Sequence, residues 1–164
     1  MNKIKTILAP VDLSDHSKLG VRYALDLAQW QQSEVLIYNV ITIEETPFPQ
    51  GSEEWVVQQT DTPKFKKVLD QRRKLFDRFV RECCADSVPS GRLRQEIGIG
   101  TPYKLIIEKA EREGADLIVM STHGRTGLAH MLIGSVTERV LRRAPCPVLA
   151  VPALKKAKRA SKQS

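Results

Sequence analysis

The segment Ser121-Thr-His-Gly124-Arg125-Thr126-Gly127-Leu-Ala-His-Met-Leu-Ile-Gly134-Ser135-Val136 gathers residue types suited to holding an anion. Glycine permits positive φ and lets backbone N–H groups come close to a phosphate. Gly134-Ser135 stands where a helix opens, and a helix N-terminus offers unsatisfied donors and a favourable dipole. Ser135 adds a hydroxyl, and Arg125 adds a charge that can pair with phosphate. Two further residues stand at the ends of apolar runs. Asp12 can accept from ribose hydroxyls, and the main chain of Val40 can pair with the edge of a base. Each residue also has a plainer role. The glycines can be a tight connection, Asp12 a helix cap, and Arg125 a solvated loop charge. Neither G-x-x-x-x-G-K-[ST] nor G-x-G-x-x-G occurs anywhere in the chain.

These residues need elements to position them. Residues 4–11 form a short apolar run that reads as a buried strand, and Ser14 or Asp15 can cap the helix that follows. Val21, Ala24, Leu25 and Ala28 recur at helical spacing. Residues 34–40, EVLIYNV, read as a second strand covered on both faces. Residues 41–62 contain prolines, a glycine and several acids without a clear period, and read as a long connection with a short turn near Trp55. A helical pattern runs from Pro63 to about Ala85, with Val68, Leu75, Phe76, Phe79 and Cys83 as its apolar stripe. Leu93–Ile99 reads as a third strand. Gly98 and Gly100 frame a turn, and Thr101-Pro102 opens a helix that Gly114 ends. Leu117–Met120 is a fourth strand. After the glycine-rich loop, a helix through Val136, Val140 and Leu141 leads to a fifth strand at Val148–Val151. Trp30 and Trp55 read as packing residues. The alternation β-α-β-α-β-α-β-α-β argues for a doubly wound parallel sheet with helices on both faces.

Composition bounds the partners. The chain has 164 residues, with 26 Lys+Arg against 19 Asp+Glu and a formal net charge of +7. Residues 155–164, KKAKRASKQS, carry five of those cations and no acid. Residues 1–153 therefore read as one nearly balanced domain, and 154–164 as a basic, disordered tail able to touch polyanions. No apolar run approaches the ~20 residues of a membrane span, and the N-terminus lacks a signal-peptide core. Three cysteines, Cys83, Cys84 and Cys146, suggest neither a disulfide framework nor a zinc site, so a reduced cytoplasmic setting is expected. His16, His123 and His130 have no metal-ligand spacing. The exposed edge expected at the fifth strand, with Val148, Leu149 and Val151, invites pairing with another chain.

Four pieces in order carry a resemblance: ILAPVDLSDHS, the strand ending in Asn39-Val40, GADLIVMSTHGRTGLAHMLIGSVTERVL, and APCPVLAVP. Across residues 1 to about 152 the chain resembles the universal stress protein family. The resemblance implies a Rossmann-like, adenine nucleotide alpha hydrolase-like α/β fold with strand order 3-2-1-4-5. It also implies a stress-response role and a homodimer through the last strand. The family's ATP-binding branch carries G-x2-G-x9-G-[ST]. Gly124, Gly134 and Ser135 match, while Ser121 holds the position of the first glycine. By this resemblance Asp12 takes ribose, Val40 takes adenine, and Gly124, Gly134, Ser135 and Val136 take the phosphates of ATP, or of AMP or ADP, with Mg carried on the phosphates. A nucleotide-dependent regulator, at most a weak ATPase with no assigned catalytic residue, is the leading expectation. A nucleotide-free homodimeric interaction protein is the alternative.

Overall fold

The strands β1 (Thr6–Val11), β2 (Glu34–Ile41), β3 (Leu93–Ile99), β4 (Leu117–Ser121) and β5 (Val148–Val151) form one parallel sheet in the order β3-β2-β1-β4-β5. The computed structural model describes residues 3–84, 93–122 and 133–152. The C-terminal tail, the loop glycine Gly124, Arg125, His123 and His130 lie outside the described residues.

Side chains alternate across each strand and divide the core into two layers. Ile7, Ala9, Val11, Val35, Ile37 and Val119 face α1 (Asp15–Gln31) and α2 (Pro63–Cys83). Leu8, Leu36, Tyr38, Val40, Ile118 and Met120 face α3 (Pro102–Glu113) and α4 (Ser135–Arg143). Both faces of the sheet are thus covered, which explains why β1 and β2 read as nearly continuous apolar runs.

Local chemistry sets the element ends. Ser14 is the N-cap of α1, its Oγ accepting from Ser17 N at 3.3 Å. Thr62 caps α2 in the same way, and Pro63 and Pro102 stand at helix starts where a missing N–H costs nothing. Gly114 ends α3 in the left-handed region at φ 58°. Gly20 lets α1 approach the sheet: a Cβ there would lie 3.2 Å from Ser121 N and 3.4 Å from the Met120 carbonyl carbon.

Several sequence expectations change. The buried line of α2 is Phe65, Phe76, Phe79, Val80 and Cys83, whereas Leu75 is half exposed and Val68 only partly covered. Arg72 accounts for the shift, because it occupies an inward slot that an apolar count skips. Trp30 is 87 % exposed and is not a packing residue, whereas Trp55, 45 % exposed, packs edge-on against Phe48 with ring centroids 5.3 Å apart. Gly98 lies within β3, where a Cβ would run into the Tyr38 hydroxyl. The connection after β2 holds a 3₁₀ turn, Ile43–Glu45, and a six-residue helix, Glu53–Gln58.

Candidate functional site

β1 lies between β2 and β4, so the strand order reverses beside it and a crevice opens at the carboxyl ends of β1 and β4. A cavity of about 340 Å³ occupies that crevice, a size within the range of small-molecule sites. Asp12, Val40, Ser121, Gly134, Ser135 and Val136 all line it. The sheet topology therefore brings together six of the eight residues singled out from sequence. The other two, Gly124 and Arg125, lie outside the described residues.

Asp12 directly follows β1. Its Oδ1 accepts from Ser14 Oγ at 2.6 Å and from Ser14 N at 3.1 Å. The turn that achieves this puts Leu13 at φ 63°, a conformation that costs an L-residue on the order of 1 kcal/mol. Packing of Leu13 against the α1 side of the core offsets that strain. Asp12 is not the helix cap itself. It buttresses the cap, Ser14, from a position on the cavity wall.

The β2 wall is tied by a buried chain of polar side chains. Asn39 is fully buried, and its Nδ2 donates to Val11 O at 2.8 Å where β1 ends. Arg72 Nη1 donates to Asn39 Oδ1 at 3.5 Å, and Arg72 Nη2 pairs with Glu45 Oε1 at 2.8 Å. Glu45 Oε2 in turn accepts from Thr42 N at 2.9 Å. Val11 and Thr42, at the two ends of this chain, both line the cavity. Beyond Thr42, the Glu53 carboxylate accepts from Thr101 Oγ1 at 2.9 Å, so the connection also rests on the start of α3.

Backbone bonds help to tie the β4 wall. Thr122 N donates to Val151 O at 2.9 Å, and Gly134 N donates to Thr122 O at 2.6 Å. Thr137 Oγ1 donates to Ser121 O at 3.0 Å. Gly134 is the N-cap of α4 and has no side chain to cap it. The N–H groups of Ser135, Val136 and Thr137, in the first turn, have no partner within the helix and stand on the cavity wall. Such a helix start is a site for an anion. The floor is apolar, with Tyr38, Ile106 and Met120 among its members, and burial pushes the Tyr38 phenol up. Such a floor accepts the flat face of a ring, while the two rims supply a carboxylate and backbone donors.

Pro10, Val11, Tyr38, Thr42, Pro102, Ile106, Met120 and Thr137 also line the cavity and are not legible as candidates in the sequence. Thr42 and Met120 stand at or beside strand ends, and that position was the available signal. Tyr38 and Ile106 look like ordinary core residues in a linear chain. Among the described residues no group of three His, Cys, Asp or Glu side chains could hold a metal ion, and no helix is long and apolar enough to cross a membrane. Burial pushes the Cys83 thiol up to about 12, which keeps it protonated and a poor nucleophile.

Comparison with known proteins gives a consistent result. The family model described as the universal stress protein family matches residues 3–152. A universal stress protein of Methanocaldococcus jannaschii, MJ0531, is 33% identical over 159 residues, 94% of this chain and 86% of its own. Among solved structures, that of MJ0577 superposes with a TM-score of 0.73 at 26% identity, covering 94% of this chain and 99% of that one. A universal stress protein family member from Arabidopsis thaliana with AMP bound shares the fold, with a TM-score of 0.58 at 17% identity, covering 96% of this chain and 97% of that one. The chain belongs to the universal stress protein family.

Proposed function

We propose that this protein binds an adenine nucleotide in the crevice and acts as a nucleotide-dependent regulator in a cytoplasmic stress response. One observation carries the reading: the uncapped start of α4 and the Asp12 carboxylate face the same cavity across an apolar floor. In this reading the phosphates of ATP, or of AMP or ADP, sit at the N–H groups of Ser135 and Val136, joined by Gly124 and Arg125. Asp12 accepts from the ribose, and the main chain at Val40 meets the adenine edge. Magnesium travels on the phosphates. Hydrolysis, where it occurs, is slow. Ser121 at the position of the family's first glycine narrows the phosphate end by one hydroxymethyl group. The AMP held by the Arabidopsis protein of the same fold agrees in ligand class.

Titration of the full chain with ATP and with AMP, read by calorimetry, tests this. A micromolar Kd for the wild type and at least tenfold weaker binding by Gly134→Val are expected, because a Cβ at 134 already stands 3.3 Å from Thr122 O. Equal affinities in the two proteins, or none in the wild type, overturn it. The second outcome would favour a nucleotide-free dimeric interaction protein.

We also infer a homodimer through β5, whose Leu149 is 38 % exposed at the sheet edge. Light scattering that finds only monomer at tens of micromolar (a range set by moderate affinities) overturns it.

A further inference from the structure

Helix α2 segregates its charges. It holds eight basic and three acidic residues, a net of five positive charges. Taking these and the five tail cations from the whole chain leaves 13 basic residues against 16 acidic ones. The near balance of the domain is thus a sum of one strongly basic helix and an acidic remainder.

The cations of α2 are also ordered. At 100° per residue, Lys64, Lys67, Lys74, Arg78 and Arg81 fall within about 100° of helix surface. That crest lies opposite Phe65, Phe76 and Cys83, which face the core. All five cations are exposed, and none has an ion-pair partner among the described residues. Lys66 and Arg73, on the flank, pair instead with Asp61 and Asp70. In other helices some cations are paired, as in Arg142–Glu138 and Lys18–Asp15, and Arg139 and Arg143 lie over the Tyr103 ring. The crest instead places like charges at i, i+3 and i, i+4 in Lys64/Lys67, Lys74/Arg78 and Arg78/Arg81, which opposes the helix. The apolar face of α2 holds the helix in place despite this.

We propose that the outward crest of α2 is a docking surface for the phosphate backbone of single-stranded nucleic acid. The crest is a straight row about 26 Å long and one side chain wide. Asp70 and Asp77 stand on one flank, and Glu82, in line with Lys64 at the last turn, is paired with Lys18. A linear polyanion along the crest meets the five cations and this one paired carboxylate, whereas a flat anionic bilayer presses on the acidic flank as well. Besides its cations the crest holds Pro63 at the helix start, Gln71 and Glu82, so it has no large apolar side chain to insert into a bilayer. It has no aromatic ring for base stacking, so recognition is of backbone charge without sequence preference. The crest lies on the α1/α2 face of the sheet, away from the cavity, which opens on the α3/α4 face. The two sites can be filled independently.

Salt dependence gives the test. Five phosphate contacts predict that log K falls with log salt at a slope of about −3.5 for a single strand. The full chain is titrated with a fluorescent oligothymidylate of about ten nucleotides over a range of salt, by anisotropy. Two variants separate the sources of charge: Lys67→Gln/Lys74→Gln/Arg78→Gln on the crest, and Lys155→Gln/Lys156→Gln/Lys158→Gln in the tail. Glutamine keeps helix propensity, and circular dichroism checks the fold. The crest variant is expected to lose about 2 from the slope and at least tenfold in affinity at low salt, with the tail variant keeping the crest's share. A crest variant that binds as the wild type does overturns the proposal. So does wild-type protein that prefers phosphatidylserine vesicles or polyglutamate to the oligonucleotide at equal charge.

Discussion

The two walls of the crevice are built in opposite ways. On the β2 side, the ends of β1 and the following connection are joined by side chains: Asn39 to Val11 O, Arg72 to Asn39 and Glu45, Glu45 to Thr42 N. On the β4 side the joints among the described residues include the backbone bonds of Thr122 to Val151 and Gly134 to Thr122, together with the Thr137 side chain on Ser121 O. The difference follows from what each wall offers a ligand. A helix start can hold an anion only if no side chain already caps it, and Gly134, with no side chain, leaves the N-cap position of the β4 wall open while Ser135 stands beside it. The β2 wall has a longer connection to restrain, and side chains do that work. The first wall should therefore fail when side chains are deleted, and the second when they are added.

The largest effect is expected from Arg72→Met. Arg72 and Glu45 are 12% and 21% exposed at their side chains, so removing the guanidinium leaves a poorly solvated carboxylate. Loss of one partner of such a pair costs about 3 kcal/mol, which corresponds to a fall in Tm of roughly 10 °C for a chain of this size. Thermal unfolding followed by circular dichroism measures it. A change within the error of the wild type would mean that water already compensates the pair and that the β2 wall is not held by it.

Asn39→Ala comes next, at about 2 kcal/mol, because Val11 O loses a donor inside a buried site. Asn39 and Arg72 share one chain of contacts, so the double variant should lose less than the two singles added together. Strict additivity in urea unfolding would break the chain into unrelated pairs.

On the other wall, Gly134→Ala should cost about 1 kcal/mol. Alanine is a poor N-cap, and its Cβ would stand 3.3 Å from Thr122 O. The same variant weakens nucleotide binding less than Gly134→Val, since one methyl group crowds the cradle less than three carbons do. An alanine variant as stable as the wild type would show that this wall gives way easily and that its lack of side chains serves no steric need.

The two walls also differ in how far sequence exposes them. Gly134-Ser135 is legible because a glycine opening a helix after a strand is a local pattern, and Asp12 and Val40 are legible as strand ends. The five strands and the main helices are legible for the same reason, since continuous apolar runs and helical spacing are local signals; the strand order is not local and comes from the family resemblance. The Arg72 chain is not legible. Asn39, Glu45 and Arg72 are separated by up to 33 residues in sequence, and each is by itself an ordinary polar residue. An arginine in an amphipathic helix reads as solvated until tertiary packing places it inward, and that substitution of Arg72 for an apolar residue is what displaced the expected stripe toward Leu75.

The smallest effect concerns the far end of the sheet and marks how far the contrast extends. Asp116, just before β4, accepts from Lys5 N at 2.7 Å and Thr6 N at 2.9 Å at the start of β1. The backbone donors of Thr6 and then Lys5 hold its carboxyl below the usual range. A depressed carboxylate adds stability that is complete above its unfolded value near 3.8 and is lost as pH falls through the lower folded value. Asp116→Asn should therefore remove part of the acid-side decline in stability below about pH 4 and slightly lower stability at neutral pH. The group is exposed, so solvent keeps the effect small. Urea midpoints measured across that pH range decide it. A measurable carboxylate contribution here would mean that a side chain ties β4 at its start, as Thr137 does at its carboxyl end. Identical pH profiles for the two proteins would mean that Asp116 adds little and that the start of β4 relies on backbone.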